Sequence, residues 1–194
     1  YYELEGAVFY IAPFLCYVIN MIINTFIRSK ILREYIFIEG KFNLDTQYFI
    51  NQINKGLKQE DNKTFQTNVQ GGMTSYIFFL QDKKFLQTIL PALDHIDNNF
   101  DPDPYHLGEA WGVKNIFTNY TQNHAHGNSY ISGSIFLNNS EQGLFFEQIN
   151  KTIPAIAGNF VLFSSFLKHR TTKRIDKFDD EKYSLAFNLF NTLK

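Results

Sequence analysis

Cysteine is almost missing from this chain of 194 residues, in which Cys16 stands alone. A single thiol closes no intrachain disulfide and supplies no multi-cysteine zinc site or iron–sulfur cluster, so the expected setting is a reducing one, the cytoplasm. An excess of one charge is missing as well. Against 18 Lys and Arg stand 19 Asp and Glu, for a formal net charge of -1, which removes the basic footprint that nucleic-acid binders place on phosphate. Nucleic acid is therefore not an expected partner. Repeats and low-complexity tracts are also lacking. With 44% hydrophobic against 19% charged residues, the composition excludes both disorder and a fibre. The length is that of one ordinary domain.

Aromatic residues, by contrast, are plentiful. Twenty-one Phe, 11 Tyr and one Trp make 17% of the chain, a load that favours packed strands over a helical bundle. Residues 6–27 form 22 consecutive uncharged positions, long enough to span a bilayer. Pro13, Asn20 and Asn24 are costly in lipid, and the same run also reads as a buried cap on a soluble core. A membrane anchor and a core segment both stay open, so residues 1–34 are set apart as a hydrophobic N-terminal segment from a domain at 35–194.

Within that domain, Leu44, Phe49, Ile50, Ile53 and Leu57 recur at helical spacing behind Asn43 or Asp45 as a cap. Leu86, Ile89, Leu90, Leu93 and Ile96 repeat the pattern over 83–97, where Pro91 is expected to kink or end the helix. Two adjacent glycines in 67–73, Gly71 and Gly72, mark a loop or bulge where backbone approaches something closely. After the alternating Asp and Pro of 101–104 the character changes to short β-like runs at 110–118, 130–137, 144–148, 160–167 and 183–190. The turn-rich stretch 138–143 is expected to join the second and third as a hairpin. Strands without intervening helices do not make parallel crossover units, so the sheet is expected to be antiparallel. The fold class is thus mainly β, a sandwich or jelly roll with helices packed outside.

Five histidines carry most of the available chemistry. His124 and His126 stand two apart, on the same face of an extended segment, with Cα atoms about 6.5–7 Å apart, from which both reach one ion about 2.1 Å from each nitrogen. Two surface histidines in a loop would give the same spelling. The context is more specific. The pair precedes Ser132-Gly133-Ser134-Ile135-Phe136-Leu137; His169 follows the run at 160–167; and Lys182-Tyr183-Ser184-Leu185-Ala186-Phe187-Asn188 comes after it. In order and spacing these segments, together with 67–73 and the Trp111 strand, resemble the 2-oxoglutarate- and Fe(II)-dependent oxygenases common in marine phages and bacteria. The resemblance covers about residues 60–192.

The resemblance implies a double-stranded β-helix, a distorted cupin-like jelly roll, holding one Fe(II) at its open end in an oxygenase domain of residues 35–194. It assigns His124, His126 and His169 as metal ligands. Most of that superfamily has a carboxylate where His126 stands, so a three-histidine site, or one completed by an acid such as Glu147, is implied. Lys182 and Ser184 take the places that hold the far carboxylate of 2-oxoglutarate, with Lys giving a point charge in place of the usual Arg fork. Tyr120 and Asn128 are further polar candidates for the cosubstrate, and Arg170, Lys173 and Arg174 form a basic loop. The implied activity is a dioxygenase, a hydroxylase acting on an unassigned substrate with O2 and 2-oxoglutarate and releasing succinate and CO2. Two alternatives share the fold: a cupin-like metal-binding protein without turnover, and a non-catalytic jelly-roll binding module.

Overall fold

Helical spacing in the first half of the chain is realised where apolar stripes find a surface to cover. A computed structural model describes residues 26–32, 35–59, 68–100, 102–116, 119–172 and 181–192. In it α1 (Thr46–Gly56) is capped by Asp45, whose carboxylate accepts the Tyr48 amide at 3.0 Å. In α2 (Lys83–Phe100) the Phe85 amide is likewise held by Asp82 at 2.9 Å. Pro91 lies inside α2 without ending it, so of the two outcomes expected from the sequence, a kink or an end, the end is not realised. The helix continues because Phe85, Ile89, Ala92 and Ile96 are all buried on one side, and that burial outweighs one lost backbone bond.

The strands are β1 (Phe26–Leu32), β2 (Tyr35–Lys41), β3 (Gly72–Met73), β4 (Tyr105–Asn115), β5 (Ile131–Phe136), β6 (Ser140–Phe146), β7 (Lys151–Ala155), β8 (Asn159–Ser164), β9 (His169–Thr171) and β10 (Lys182–Asn191). They form a major sheet in the order β1-β2-β8-β5-β10-β4-β3 and a minor one in the order β7-β6-β9. Every pairing is antiparallel. The stretch 138–143 does not close a hairpin between its flanking strands, as the turn residues suggested. It carries the chain from β5 in the major sheet to β6 in the minor one. From there the chain returns for β8, leaves for β9 and returns for β10, the alternation that makes a double-stranded β-helix. Pro154 sits in β7, the outer strand of the minor sheet, where a missing amide costs no ladder bond. Residues 6–25 and 173–180 lie outside the described residues; among the described ones no helix is long and apolar enough to cross a membrane. β1 falls within the 1–34 segment and pairs along its length with β2.

Alternation along each strand decides which side chains face which layer. On β10 the odd positions Tyr183, Leu185, Phe187 and Leu189 join the helices' Phe49, Ile53, Phe85, Ile89 and Ile96 in one core outside the major sheet. The even positions Lys182, Ser184, Ala186 and Asn188 face the space between the sheets. That space is closed at one side by a second core containing Phe37, Phe136, Leu144, Phe146, Val161 and Phe163. Glycine is required where helix meets sheet: a Cβ on Gly112 would stand 2.3 Å from Ile53 Cγ1. At Gly158, which leads into β8, φ is +87° and a Cβ would meet the Phe42 carbonyl at 2.5 Å.

Candidate metal centre

The segment carrying His124 and His126 lies outside the long strands, so backbone bonds must place it. His124 and His169 exchange both bonds of an antiparallel bridge, amide to carbonyl at 3.0 Å and back at 2.9 Å. The His126 amide donates to the Ser165 carbonyl at 2.8 Å. These contacts bring together side chains far apart in sequence. One nitrogen from each ring lies within 4.8 Å of the others, and among the described residues this group holds the three histidines and no carboxylate. The Nε2 atoms of His124 and His126 are 3.1 Å apart, close to the separation of neighbouring ligands each about 2.1 Å from a common ion.

The outer nitrogens of His124 and His169 are committed elsewhere, which leaves their inner ones able to donate to a metal. His124 Nδ1 lies 2.8 Å from the Gln122 carbonyl and His169 Nδ1 lies 2.9 Å from the Leu167 carbonyl. A carbonyl only accepts, so each Nδ1 carries the proton and each Nε2 presents its lone pair inward. The His126 ring hydrogen-bonds the Asn188 side chain. Asn188 in turn donates through Nδ2 to Glu109 at 2.6 Å and accepts from Ser132 at 2.7 Å. Asn188 and Glu109 are register partners on β10 and β4.

Burial keeps the rings neutral. It is the leading cause that lowers all three pKa values from the ordinary histidine range, followed for His126 and His169 by repulsion from the neighbouring rings. His126 falls to about 4. Neutral imidazoles are the form that ligates, and Phe146 and Phe163 wall His169 with ring centroids 5.7 and 4.7 Å away.

Two hollows with Trp111, His124 and His126 in both linings flank the histidines. The inner one, about 60 Å³, lies between the sheets and is lined by Lys182, Ser184, Asn115, Thr171 and Trp111 as well as all three histidines. Lys182 is 3% exposed and Ser184 7%. The outer one, about 290 Å³, opens to solvent past His124 and His126 and is bordered by Tyr76, Glu109, Trp111, Asn128, Asn188 and Phe190. Of the other sequence candidates, Asn128 is at the rim of the outer hollow, whereas Tyr120 is 49% exposed and lines neither. Glu147 is exposed and takes a hydrogen bond from Asn123 at 2.7 Å, outside the histidine group. Arg170 alternates with the inward His169 and Thr171 and lies over the Phe145 ring at 4.9 Å; Lys173 and Arg174 lie outside the described residues. Sequence reasoning missed Glu109 and Asn188 as partners of His126. Continuing the two-residue step from Lys182 and Ser184 reaches Asn188, but Glu109 emerges only with the β10–β4 register.

No protein-family model matches the sequence, and neither does any curated protein. Solved structures do. A viral collagen prolyl hydroxylase, vCPH from Paramecium Bursaria Chlorella virus-1, in complex with 2-oxoglutarate, superposes with TM-score 0.60 at 12% identity, over 79% of this chain and 94% of that one. The carbocyclase SnoK from nogalamycin biosynthesis, described as non-heme and alpha ketoglutarate dependent, gives 0.63 at 9% identity, over 80% and 79%. HygX from Streptomyces hygroscopicus, with nickel and 2-oxoglutarate bound, gives 0.57 at 10% identity, over 81% and 83%. At such identities the likeness shows the fold, the double-stranded β-helix.

Proposed function

We propose that residues 35–194, with β1 as an added edge strand, form a 2-oxoglutarate- and Fe(II)-dependent dioxygenase, a hydroxylase whose substrate enters by the outer hollow. The observation that carries this reading is the convergence of three neutral imidazoles at the mouth of a cavity that has a buried lysine and serine further in. The donor set suits Fe(II): imidazole is a common iron ligand, and three facial nitrogens leave positions for a chelating cosubstrate and O2. The solved structures of vCPH and HygX hold 2-oxoglutarate within the same fold, which supports the choice of cosubstrate. The lone cysteine is in keeping with an enzyme of a reducing compartment, the cytoplasm.

In this reading each residue has a defined task. His124, His126 and His169 hold the iron, with ring orientation set by the Gln122 and Leu167 carbonyls and by Asn188. Lys182 and Ser184, two apart on one face of β10, offer an ammonium and a hydroxyl to the distal carboxylate of 2-oxoglutarate. Phe136, Phe146 and Phe163 keep water from the inner cavity. Bound iron and 2-oxoglutarate together supply the activation of O2 that breaks a substrate C–H bond, while the protein orients and shields.

Anaerobic titration with Fe(II), then 2-oxoglutarate, then O2 tests the reading. The oxygenase requires iron binding, a change in the visible spectrum of the bound iron when 2-oxoglutarate is added, and succinate formation on admitting O2. Iron binding with no response to 2-oxoglutarate selects the cupin-like metal protein, and no iron binding selects the non-catalytic module.

A further inference from the structure

The outer hollow has a composition that selects ligands by charge. Its described lining contains one formally charged side chain outside the histidines, Glu109. No ion pair of the described residues involves that carboxylate, and it accepts its hydrogen bond from the neutral amide of Asn188. Lys182 lines the inner hollow, where the oxygenase reading assigns it to the cosubstrate, so among the described residues Glu109 is the charge that a molecule in the outer hollow meets. Aromatic faces stand beside it. Trp111 is two residues on along the same face of β4, 5% exposed, with Tyr76 set edge-on at 5.0 Å. Phe190 lies over Gly108, whose Cβ would stand 2.6 Å from that ring. The Trp111 Nε1 is buried and has no hydrogen-bond partner among the described residues.

We propose that the substrate of this site is a small molecule bearing a protonated amine on an apolar stem, the ammonium paired with Glu109 and the stem against Trp111, Tyr76 and Phe190. This deepens the oxygenase reading and rests on it for the term substrate. A carboxylate in a half-enclosed hollow favours a cation over a neutral isostere. Aromatic rings add an attraction for the same charge that they withhold from an anion. The hollow's volume of about 290 Å³ is that of a small-ligand pocket.

Trp111 is the sole tryptophan, so its indole N–H gives one assignable magnetic-resonance signal inside the hollow. Benzylammonium, benzyl alcohol and benzoate are titrated against that signal, in the metal-free protein and in the protein loaded with Zn(II) and 2-oxoglutarate. Benzylammonium is expected to bind at least about tenfold more tightly than benzyl alcohol, with benzoate weakest. In Glu109→Gln, which keeps an oxygen for Asn188, the preference for the cation should collapse. Equal affinity for the alcohol, tighter binding of benzoate, no saturation by benzylammonium, or a preference that survives Glu109→Gln overturns the proposal. The comparison within the parent protein stands even where the variant does not fold. Because the metal-free measurement needs neither iron nor cosubstrate, failure of the charge preference is distinguishable from failure of the oxygenase reading.

Discussion

Gly112 sits on β4 beneath α1, and replacing it by Ala tests the contact that sets the helical layer on the site-bearing sheet. The new methyl carbon would lie 2.3 Å from Ile53 Cγ1, 2.8 Å from Ile53 Cδ1 and 3.2 Å from Phe79 Cε2. Carbon atoms rest comfortably at about 3.5–4.0 Å, so the first contact is far too short. Ile53 is fully buried and Phe79 equally so, which leaves the isoleucine no solvent to turn into; α1 must move or Ile53 must leave its rotamer. Overpacking of this kind costs about 1–3 kcal/mol, offset by about 0.4–1 kcal/mol from the stiffer unfolded chain. A net loss of about 1–2 kcal/mol is expected. Ile53→Ala alone should cost about 2–5 kcal/mol by leaving a cavity. In the double variant the methyl introduced by Gly112→Ala moves into that cavity, so the combined loss should fall short of the sum by about 1–2 kcal/mol. Urea unfolding at constant m-value measures the parent, the two single variants and the double one. A neutral Gly112→Ala, or losses that simply add, would refute the packing described for this interface.

Three further outcomes concern the site. His126→Ala should lower metal affinity by more than the roughly tenfold to hundredfold typical of outer-shell changes, while His126→Asp should keep the metal; isothermal titration with Zn(II) decides, and an alanine variant that binds as the parent does removes His126 from the ligand set. Lys182→Met should weaken 2-oxoglutarate binding by about tenfold to a hundredfold, the value of a charge-assisted bond of about 1.5–3 kcal/mol, with metal affinity kept; unchanged affinity would move the role to another cation. The folded-state pKa of each site histidine is depressed, that of His126 to about 4, so the unfolded chain takes up protons that the metal-free folded chain refuses. Stability is then fully present above about pH 6.5 and is lost as pH falls from there toward about 4, at about 1.4 kcal/mol per unit for each histidine kept neutral. A urea midpoint that holds steady between about pH 7 and 5 would contradict it.

What the sequence disclosed follows from how local each signal is. The helix at Thr46–Gly56 was legible because its apolar spacing and Asp45 cap lie within one short window. The inward row Lys182, Ser184, Ala186 and Asn188 was half legible, since a two-residue step is local but its end is not marked. Pro91 as a helix end misled because the energy that carries α2 past it is tertiary, in the burial of Ile89, Ala92 and Ile96. The expected hairpin at 138–143 misled for a related reason: turn residues announce a reversal without saying which sheet receives the next strand. β7 was missed because Pro154 reads as a strand breaker until its outer position is known. In the site, the H-x-H spacing pointed to His124 and His126, and His169 followed from a resemblance of segments. Glu109 had no local mark at all, because its link to His126 passes through Asn188 across two strands.

The bridge between His124 and His169 gives the site a mechanical character. β9 is three residues long, held by β6 on one side and on the other by the bridge and by the reciprocal contacts of Thr121 and Thr171 at 2.9 and 3.3 Å. A seam so short opens more readily than the long ladder of β10 and β4. An ion gripped by both histidines would rivet that seam shut, because separating the strands would then require giving up the metal. Loading the site should slow deuterium exchange at the His124 and His169 amides far more than at the amides of α2, and the metal would serve the fold as a clasp as well as the chemistry.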